Sequence, residues 1–406
     1  HRPAMIDATT LAGWRREGRP HSFFDARPPA EYAKMRIEGA RCLPNGELAH
    51  RLGAAVADAA TPIVITCAGR TRGIVGALTL RAIGAPNPVY ALENGTQGWA
   101  LADLPLDRGA SADPLPALDE AQAQASRDRA RHLACAAQLA RITVAEAERL
   151  LAEPGRTPFL FDLRSAEERA ARPARGAVPV LAGQLIQATD QYVGVRHARL
   201  ILMDDTGLRA ALAGLFLRAL GFEVLVLALD EAPDAAIPHV PPPALRAPAP
   251  PPVVEARSAW SLAQSVVPVL DLRASAEWET WRLVAARWVL RGDLPGVLAK
   301  GVRRVILLGD AVAVAAAAED LREAGIAATW LSADAEACAQ AGWPVDRARR
   351  RMSREEARDR VWFVHDRHDG NREASRQYLA WEMGLVNQLD EAERAAFGWV
   401  PIGAPP

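Results

Sequence analysis

The 406-residue sequence contains little cysteine, almost no lysine and no long hydrophobic run. Its four cysteines are too few for a disulfide framework and lack the paired spacing of a zinc site. No stretch of about 18 apolar residues is present that could cross a membrane, and the first residues do not lead into a signal-peptide core. We therefore expect a soluble protein of a reducing compartment, the cytoplasm, with no metal, no cofactor and no membrane partner. The cysteines are Cys42, Cys67, Cys135 and Cys338.

An excess of charge of one sign is also missing. The 48 lysines and arginines nearly balance the 49 aspartates and glutamates, so a polyanion finds no overall attraction and nucleic acid is not an expected partner. Only Lys34 and Lys300 are lysines, beside abundant arginine and alanine, which is typical of a GC-rich bacterial gene. Half of the residues are hydrophobic, and at roughly 150 residues per domain the length predicts two or three domains with buried cores.

One pattern occurs three times along the chain. An apolar run ends in Asp-x-Arg, a glutamate follows six residues after the aspartate, and a second apolar run leads through a loop into a helix-period stretch closed by Leu-Arg-x-x-Gly. A last short apolar run completes each copy. Each copy therefore predicts a β-α-β unit. The aspartates are Asp25, Asp162 and Asp271, the glutamates are Glu31, Glu168 and Glu277, and the second apolar runs cover 63–66, 200–203 and 305–308.

The repeat predicts an α/β fold of tandem domains, each with a central, mostly parallel sheet flanked by helices on both faces. A connector without glycine or proline, 118–141, predicts a helix, whereas eight prolines within 238–252 predict a stiff spacer. The tail has a helix start at Ser353 and helical period over 375–397, which we expect to pack on a domain. The predicted segments are a catalytic domain 1–112, a helical linker 113–141, an inactive domain 142–236, a proline-rich linker 237–252, an inactive domain 253–346 and a partly helical tail 347–406.

The first copy has a cysteine in the loop that follows its second apolar run. A glycine-containing turn between a strand and a helix points several backbone N–H groups at one spot, which suits an anion. Two arginines in the loop add positive charge, so we expect the pKa of the cysteine to fall below its ordinary value of about 8.5 and the thiolate to act as a nucleophile. The loop consists of Cys67, Ala68, Gly69, Arg70, Thr71, Arg72 and Gly73.

The corresponding loops of the other two copies lack the cysteine. In the second copy, Asp205 aligns with Cys67 when the Asp-x-Gly and Cys-x-Gly spacings are matched. In the third copy the loop begins Gly309-Asp310 and contains no arginine. Because an aspartate cannot supply a thiolate and its charge repels an anion, we predict that the second and third domains are inactive.

The first copy resembles the rhodanese superfamily of sulfurtransferases, and the other two look like degenerate members. The matching stretches occur in family order: 24–27 with Glu31, then 37–41, 65–72 and 92–99. The resemblance implies a thiosulfate sulfurtransferase, in which Cys67 takes sulfane sulfur from thiosulfate or a similar anionic donor as a persulfide and passes it to cyanide or a thiol. The remaining loop residues would cradle the donor and the persulfide.

The predicted roles of the supporting residues rest on fewer observations. Asp25 and Arg27 are expected to brace the loop, while Asp25 and Glu31 could each instead be ordinary helix-start or surface charges. Of the other cysteines, Cys42 is the best candidate to resolve the persulfide, although packing is the simpler interpretation. His365 and His368 are interpreted as ordinary residues of a polar turn.

Two other functions are compatible with the pattern. The protein could be a persulfide carrier or scaffold whose inactive domains dock a sulfur-trafficking protein. A phosphatase or arsenate reductase is disfavoured, because related phosphatases place arginine six residues after the cysteine, where this chain has Gly73. The donor stays open between thiosulfate, mercaptopyruvate, a glutathione persulfide and a cysteine desulfurase. The two arginines favour a small inorganic anion such as thiosulfate.

Overall fold

The computed structural model describes residues 3–231, 237–238, 248–353, 355–360 and 371–398. The chain forms two compact units: 1–242 together with 364–406, and 243–363. Most of the proline-rich linker lies outside the described residues, as do His365 and His368.

The first domain is built on a five-stranded parallel sheet. Its strands are β1 (Ala4–Ile6), β2 (Ser22–Asp25), β3 (Arg41–Cys42), β4 (Ile63–Thr66) and β5 (Val89–Leu92), and its helices are α1 (Ala8–Arg16), α2 (Pro29–Lys34), α3 (Glu47–His50), α4 (Leu52–Ala55), α5 (Thr71–Ala82) and α6 (Gly95–Leu101). The strand order is β1-β5-β4-β2-β3. Helices cover both faces, so the central strand β4 is buried along its whole length and reads as a continuous apolar run.

The second domain repeats this architecture. Its helices are α7 (Glu120–Ala136), α8 (Val144–Leu151), α9 (Ala166–Ala171), α10 (Ala182–Gln187), α11 (Thr189–Tyr192) and α12 (Leu208–Ala219), and its strands are β6 (Ala140–Arg141), β7 (Pro158–Asp162), β8 (Val178–Pro179), β9 (Arg199–Asp204) and β10 (Glu223–Ala228). The parallel order is β6-β10-β9-β7-β8. The helix expected over 118–141 ends earlier, because Gln138 adopts a positive φ of 52° and the chain then enters β6.

The third domain has a four-stranded parallel sheet. Its strands are β11 (Val269–Asp271), β12 (Arg282–Leu283), β13 (Ala286–Trp288), β14 (Arg304–Leu308), β15 (Ala327–Leu331) and β16 (Val345–Asp346), and its helices are α13 (Ala256–Gln264), α14 (Ser275–Trp278), α15 (Ala311–Glu323) and α16 (Ala335–Gln340). The sheet order is β13-β11-β14-β15, and β12 pairs with β16 in an antiparallel ribbon. The predicted fold class of tandem α/β domains is confirmed.

The tail differs in part from its prediction. The expected helical stretch 375–397 forms two helices, α17 (Arg372–Gln388) and α18 (Glu391–Ala395), because Asp390 caps a new helix start. The helix expected from Ser353 does not form within 355–360, which make turns. There the side chains of Asp359 and Arg360 hydrogen-bond to Ser275 and hold the segment against α14. No helix of the described residues is long and apolar enough to span a bilayer.

The first two domains share one hydrophobic core. Buried residues of α5 from the first domain and of α10 and α12 from the second belong to the same cluster, with Ala77, Leu185 and Leu212 as examples. Helix α12 is apolar around nearly its whole circumference because it lies between the two domains. This shared core fixes α10 beside the N-terminal end of α5, where the cysteine loop lies.

Candidate active site

Cys67 follows the last residue of β4 and precedes the start of α5. Strand β4 has parallel neighbours on both sides, so the loop lies at the carboxyl edge of the sheet, where open α/β sheets bind ligands. The start of α6 packs on the loop: Thr96 N donates to Cys67 O at 2.8 Å and Gln97 N donates to Ala68 O at 3.1 Å. Gly95 permits this approach, because a Cβ there would lie 2.2 Å from Cys67 O.

Asp25 and Arg27 form a buried ion pair beneath the loop. Arg27 Nε donates to Asp25 Oδ1 at 2.9 Å and Nη2 donates to Oδ2 at 2.7 Å, and the guanidinium also reaches Met35 O. The same pair recurs in the domains without the cysteine, which indicates a bracing role rather than chemistry. The equivalent Nε–Oδ1 distances are 2.9 Å for Arg164–Asp162 and 2.9 Å for Arg273–Asp271.

Arg72 is held from two domains at once. Its Nη1 and Nη2 donate to the two carboxylate oxygens of Glu31 at 2.5 and 2.7 Å, and Nη1 also donates to Gln184 Oε1 of α10 at 2.9 Å. The side chain is only 6% exposed. Arg70 instead lines the cavity described next and donates to Asn94 Oδ1 at 3.3 Å. Glu31 therefore fixes Arg72, and Arg70 is the arginine placed at the opening.

A cavity of about 340 Å³ opens over the cysteine loop. The second domain and the tail both contribute to its wall, from α10 and α17. Each of the predicted site residues Cys67 to Arg72, with Arg27 and Glu31, lies at this cavity. The lining residues from elsewhere are Lys34, Met35, Gln187, Tyr378 and Glu382.

The expected fall of the Cys67 pKa is wrong. Burial raises the pKa of the thiol, while Arg72 and the backbone N–H groups of Gly73 and Gly69 act in the opposite direction. The side chain is 2% exposed, and the charge of Arg72 is shared with Glu31, so desolvation outweighs the attraction. The thiol still has two N–H groups directed at it, as the loop pattern predicted.

Asp204, and not Asp205, occupies the Cys67 position in the second domain. Asp25 pairs with Thr66 and Asp162 pairs with Met203, so equivalent residues of the two domains lie 137 positions apart. Matching the glycines displaced the alignment by one residue, because Gly207 stands immediately before α12 whereas Gly69 stands two residues before α5. Asp205 lies beside the position, and burial raises its pKa to about 7 against the effect of Arg209.

The same spacing relates the ion pairs around the two loops. Arg209 stands at the position of Arg72, and Glu47 stands at that of Gln184. Arg209 donates to Glu168 at 2.6 Å, to Glu47 of the first domain at 2.7 Å and to Asp204 at 3.0 Å. Each arginine thus reaches the same position of the opposite domain. Arg72 donates to one carboxylate, that of Glu31, and to the neutral amide of Gln184. Arg209 donates to three carboxylates, which neutralise its charge.

In the third domain the equivalent loop is shorter, and a side chain occupies its N–H groups. Asp271 pairs with Leu308, so Gly309 stands at the cysteine position, and α15 begins two residues later instead of four. Asp310 Oδ1 accepts hydrogen bonds from the N–H groups of Val312 and Ala313 at 2.9 and 3.0 Å. The Asp310 carboxylate therefore accepts hydrogen bonds from the N–H groups that would otherwise bind an anion.

Several residues at the cavity were missed by sequence reasoning. Gln187, Tyr378 and Glu382 line it, and Gln184 accepts from Arg72 behind it; all four come from elements distant in sequence and carry no local motif. The constant spacing of 137 relates Gln184 to Glu47. Cys42 lies within the first domain, where its thiol donates to Arg27 O at 3.6 Å and burial raises its pKa to about 12. Those contacts fit packing better than redox chemistry.

Comparison with known proteins agrees with this geometry. The model of the rhodanese-like domain family matches residues 7–102. The solved structure of a thiosulfate sulfurtransferase from Pseudomonas aeruginosa is 32% identical, with a TM-score of 0.72, over 98% of this chain and 76% of that one. A 3-mercaptopyruvate sulfotransferase of Escherichia coli is 20% identical over 56% of this chain and 97% of that one, with a TM-score of 0.25.

A curated relative is similar to part of this chain. An HTH-type transcriptional regulator of Mycobacterium tuberculosis is 36% identical over 96 residues, which are 24% of this chain. The match spans 42% of the regulator, less than half of its length. The family model, the full-length structural match and the cysteine loop agree, and this chain belongs to the rhodanese family of sulfurtransferases.

Proposed function

We propose that the protein moves sulfane sulfur from thiosulfate or a similar anionic donor to cyanide or a thiol through a persulfide on Cys67. The observation that carries the proposal is the position of Cys67, at the base of a cavity, with the N–H groups of Gly69 and Gly73 directed at its sulfur. The equivalent residues of the other domains are Asp204 and Gly309, which cannot form a persulfide. The similarity to a structure named thiosulfate sulfurtransferase supports this donor.

The chemistry takes two displacement steps. The Cys67 thiolate attacks the sulfane sulfur of thiosulfate, a new S–S bond forms, and the old S–S bond breaks with its electron pair leaving on sulfite. Cyanide or a thiolate then attacks the outer sulfur of the persulfide, and the Cys67 thiolate leaves. No external oxidant or reductant is consumed. Fixed N–H groups of the loop stabilise the negative charge on sulfur in both steps.

The surrounding residues have separable roles. Arg72 supplies the countercharge nearest the thiolate, and Glu31 with Gln184 fixes its guanidinium. Arg70, at the opening, is placed to meet the anionic donor. Asp25 and Arg27 hold the end of β2 under the loop and act through position alone.

Mass spectrometry of the intact protein tests the proposal directly. The reduced full chain is incubated in turn with thiosulfate and with mercaptopyruvate, and its mass is measured before and after addition of cyanide. One added sulfur, located on the peptide that contains Cys67 and removed as thiocyanate, is the expected result. A chain that gains no sulfur from either donor, or gains it on another cysteine, would refute the proposal.

The raised pKa of Cys67 predicts a rate that increases with pH. The thiolate is the nucleophile, so below the pKa the loading rate should rise about tenfold per pH unit. Gln184→Glu would place a second carboxylate on Arg72, as Glu47 does on Arg209, and raise the Cys67 pKa further. We expect loading by thiosulfate to slow about tenfold at pH 8 and the pH–rate profile to move about one unit upward.

A matched variant separates this effect from added charge. Gln191 is exposed on the neighbouring helix α11 and does not line the cavity, so Gln191→Glu should leave the profile in place. Stopped-flow loading rates between pH 6 and about 10 give both profiles. Identical profiles for wild type and Gln184→Glu would contradict the assignment of Arg72 as the countercharge.

A persulfide carrier is a second candidate function. The second half of α17, next to the cavity, exposes Trp381, Met383 and Val386, which is unusual for a soluble helix unless a partner covers them. A carrier would load once and release sulfur slowly to small acceptors but rapidly to a sulfur-acceptor protein. Efficient multiple turnover with thiosulfate and cyanide would exclude that role.

The four free cysteines fit a reducing compartment, and we propose the bacterial cytoplasm as the location.

A further inference from the structure

Helix α17 of the tail lies across the cysteine loop. Its N-terminal end is fixed by Arg372, which donates to Ala100 O at 3.1 Å and to Leu101 O at 2.9 Å at the end of α6, and pairs with Asp103. Tyr378 and Glu382 are four residues apart, on the same face of the helix, and both line the cavity. The tail therefore supplies side chains to a site more than 300 residues earlier in the chain.

Glu382 makes the closest contact between the tail and the loop. Thr71 Oγ1 donates to Glu382 Oε1 at 2.7 Å, which fixes the carboxylate over the start of α5. The other oxygen, Oε2, is buried and accepts no hydrogen bond from the described residues. A Cβ on Gly69 would lie 2.8 Å from this oxygen, so the carboxylate rests directly on the loop that holds the sulfur.

A second unsatisfied group lies beside Glu382. Gln97 is 1% exposed, and neither of its amide atoms has a hydrogen-bond partner among the described residues. Its Nε2 would be 3.6 Å from the same Gly69 Cβ. A buried polar atom without a hydrogen-bond partner is destabilising, so the Glu382 carboxylate, which lines the cavity, would gain from a ligand that brings N–H donors.

The charges around the loop are of both signs. Arg72 is committed to Glu31 and Arg27 to Asp25, while Arg70 and Lys34 are the other cations that line the cavity. Glu382 adds a carboxylate at the opening. A compact dianion such as thiosulfate is repelled by this carboxylate, whereas an ammonium group is attracted to it.

We propose that Glu382 is a specificity-determining residue that selects an amino-bearing thiol as the sulfur acceptor and weakens the binding of thiosulfate. The inference rests on the proposed function. The acceptor's thiolate attacks the outer sulfur of the Cys67 persulfide, the bond between that sulfur and Cys67 Sγ breaks, and the Cys67 thiolate is released. Meanwhile the acceptor's ammonium group pairs with the Glu382 carboxylate, which lines the cavity. Cysteine, its small peptides and cysteamine have this chemistry.

A matched pair of acceptors isolates the ammonium contact. Cysteamine and 2-mercaptoethanol differ in one terminal group, ammonium against hydroxyl. The persulfide on Cys67 is formed first, excess donor is removed, and the second-order rate constant is measured with each thiol. The ratio of the two rate constants in wild type divided by the ratio in Glu382→Gln cancels the intrinsic reactivities of the thiols. The amide retains an oxygen that accepts from Thr71, so the helix keeps its anchor.

We expect the cysteamine preference to fall about three- to tenfold in Glu382→Gln and kcat/KM for thiosulfate to rise by a similar factor. Glu373→Gln, an equal charge change on the exposed start of the same helix, should alter neither quantity. An unchanged preference in Glu382→Gln, with normal sulfur loading of Cys67, would overturn this inference and leave the sulfurtransferase proposal intact. Failure of Cys67 to load at all would instead refute the sulfurtransferase proposal.

Discussion

Cys67→Ser should abolish sulfur loading and reduce thiocyanate formation from thiosulfate and cyanide by at least about 10³-fold, since the nucleophile is lost. A serine hydroxyl cannot form the persulfide, and no other cysteine is placed at an equivalent loop. The variant should fold normally, because the hydroxyl occupies nearly the same volume at the base of the cavity. Thiocyanate assays and intact mass give the two readouts.

Cys135 provides the matched control. It is exposed on α7, away from the cavity, so Cys135→Ser should retain full activity and take up one sulfur as the wild type does. Circular dichroism would establish that both variants are folded. If Cys67→Ser retained more turnover than the denatured protein, sulfur transfer would take place at a site other than Cys67.

Arg209→Met should destabilise the first unit by about 3–5 kcal/mol. The guanidinium is fully buried between the first two domains and is the shared partner of Glu47, Glu168 and Asp204. Removing it leaves Asp204 buried without a countercharge, whereas Glu47 and Glu168 still pair with Arg51. A buried carboxylate that has lost its countercharge costs far more than the net contribution of the intact ion pair. Urea denaturation followed by tryptophan fluorescence measures the free energy of unfolding.

Two further variants make this test specific. Arg131 is half exposed on α7 and pairs with Asp128 on the surface, so Arg131→Met should change the free energy of unfolding by less than about 1 kcal/mol. Adding Asp204→Asn to Arg209→Met removes the orphaned charge and should recover part of the loss. If Arg209→Met and Arg131→Met were equally mild, the buried network would not hold the two domains together.

The repeat could be predicted from the sequence because the pattern of each strand and helix is local. The run 63–66 coincides with β4 and the run 200–203 lies within β9, since strands buried on both faces are apolar nearly throughout. The loop of Cys67 was also identifiable, because a cysteine at a strand end before a helix start has few packing explanations. Two predictions failed. The pKa of Cys67 is raised by burial under elements that are distant in sequence. Asp205 was assigned to the Cys67 position because the two loops were aligned on their glycines.

The tail shows a different limit of prediction from sequence. Its helical period indicated a packed helix, and residues 374, 375 and 379 do form the buried face of α17. Nothing in that period identifies the surface it covers, because an apolar stripe of this length fits any domain. Glu382 and Tyr378 became part of the cavity through packing alone, so neither residue could have been selected from the sequence.

The unbroken spacing between the first two domains has an evolutionary consequence. From Asp25 to Arg72 and from Asp162 to Arg209 no residue has been inserted or lost, as expected of an internal duplication that diverged by point substitution alone. Around the central guanidinium, the second copy differs from the first by Asp204 in place of Cys67 and by the exchange of Gln184 for Glu47. The second copy therefore retains the arginine, its glutamate and its brace, and has a carboxylate where the first copy has the thiol. Its arginine joins the duplicated halves through Glu47.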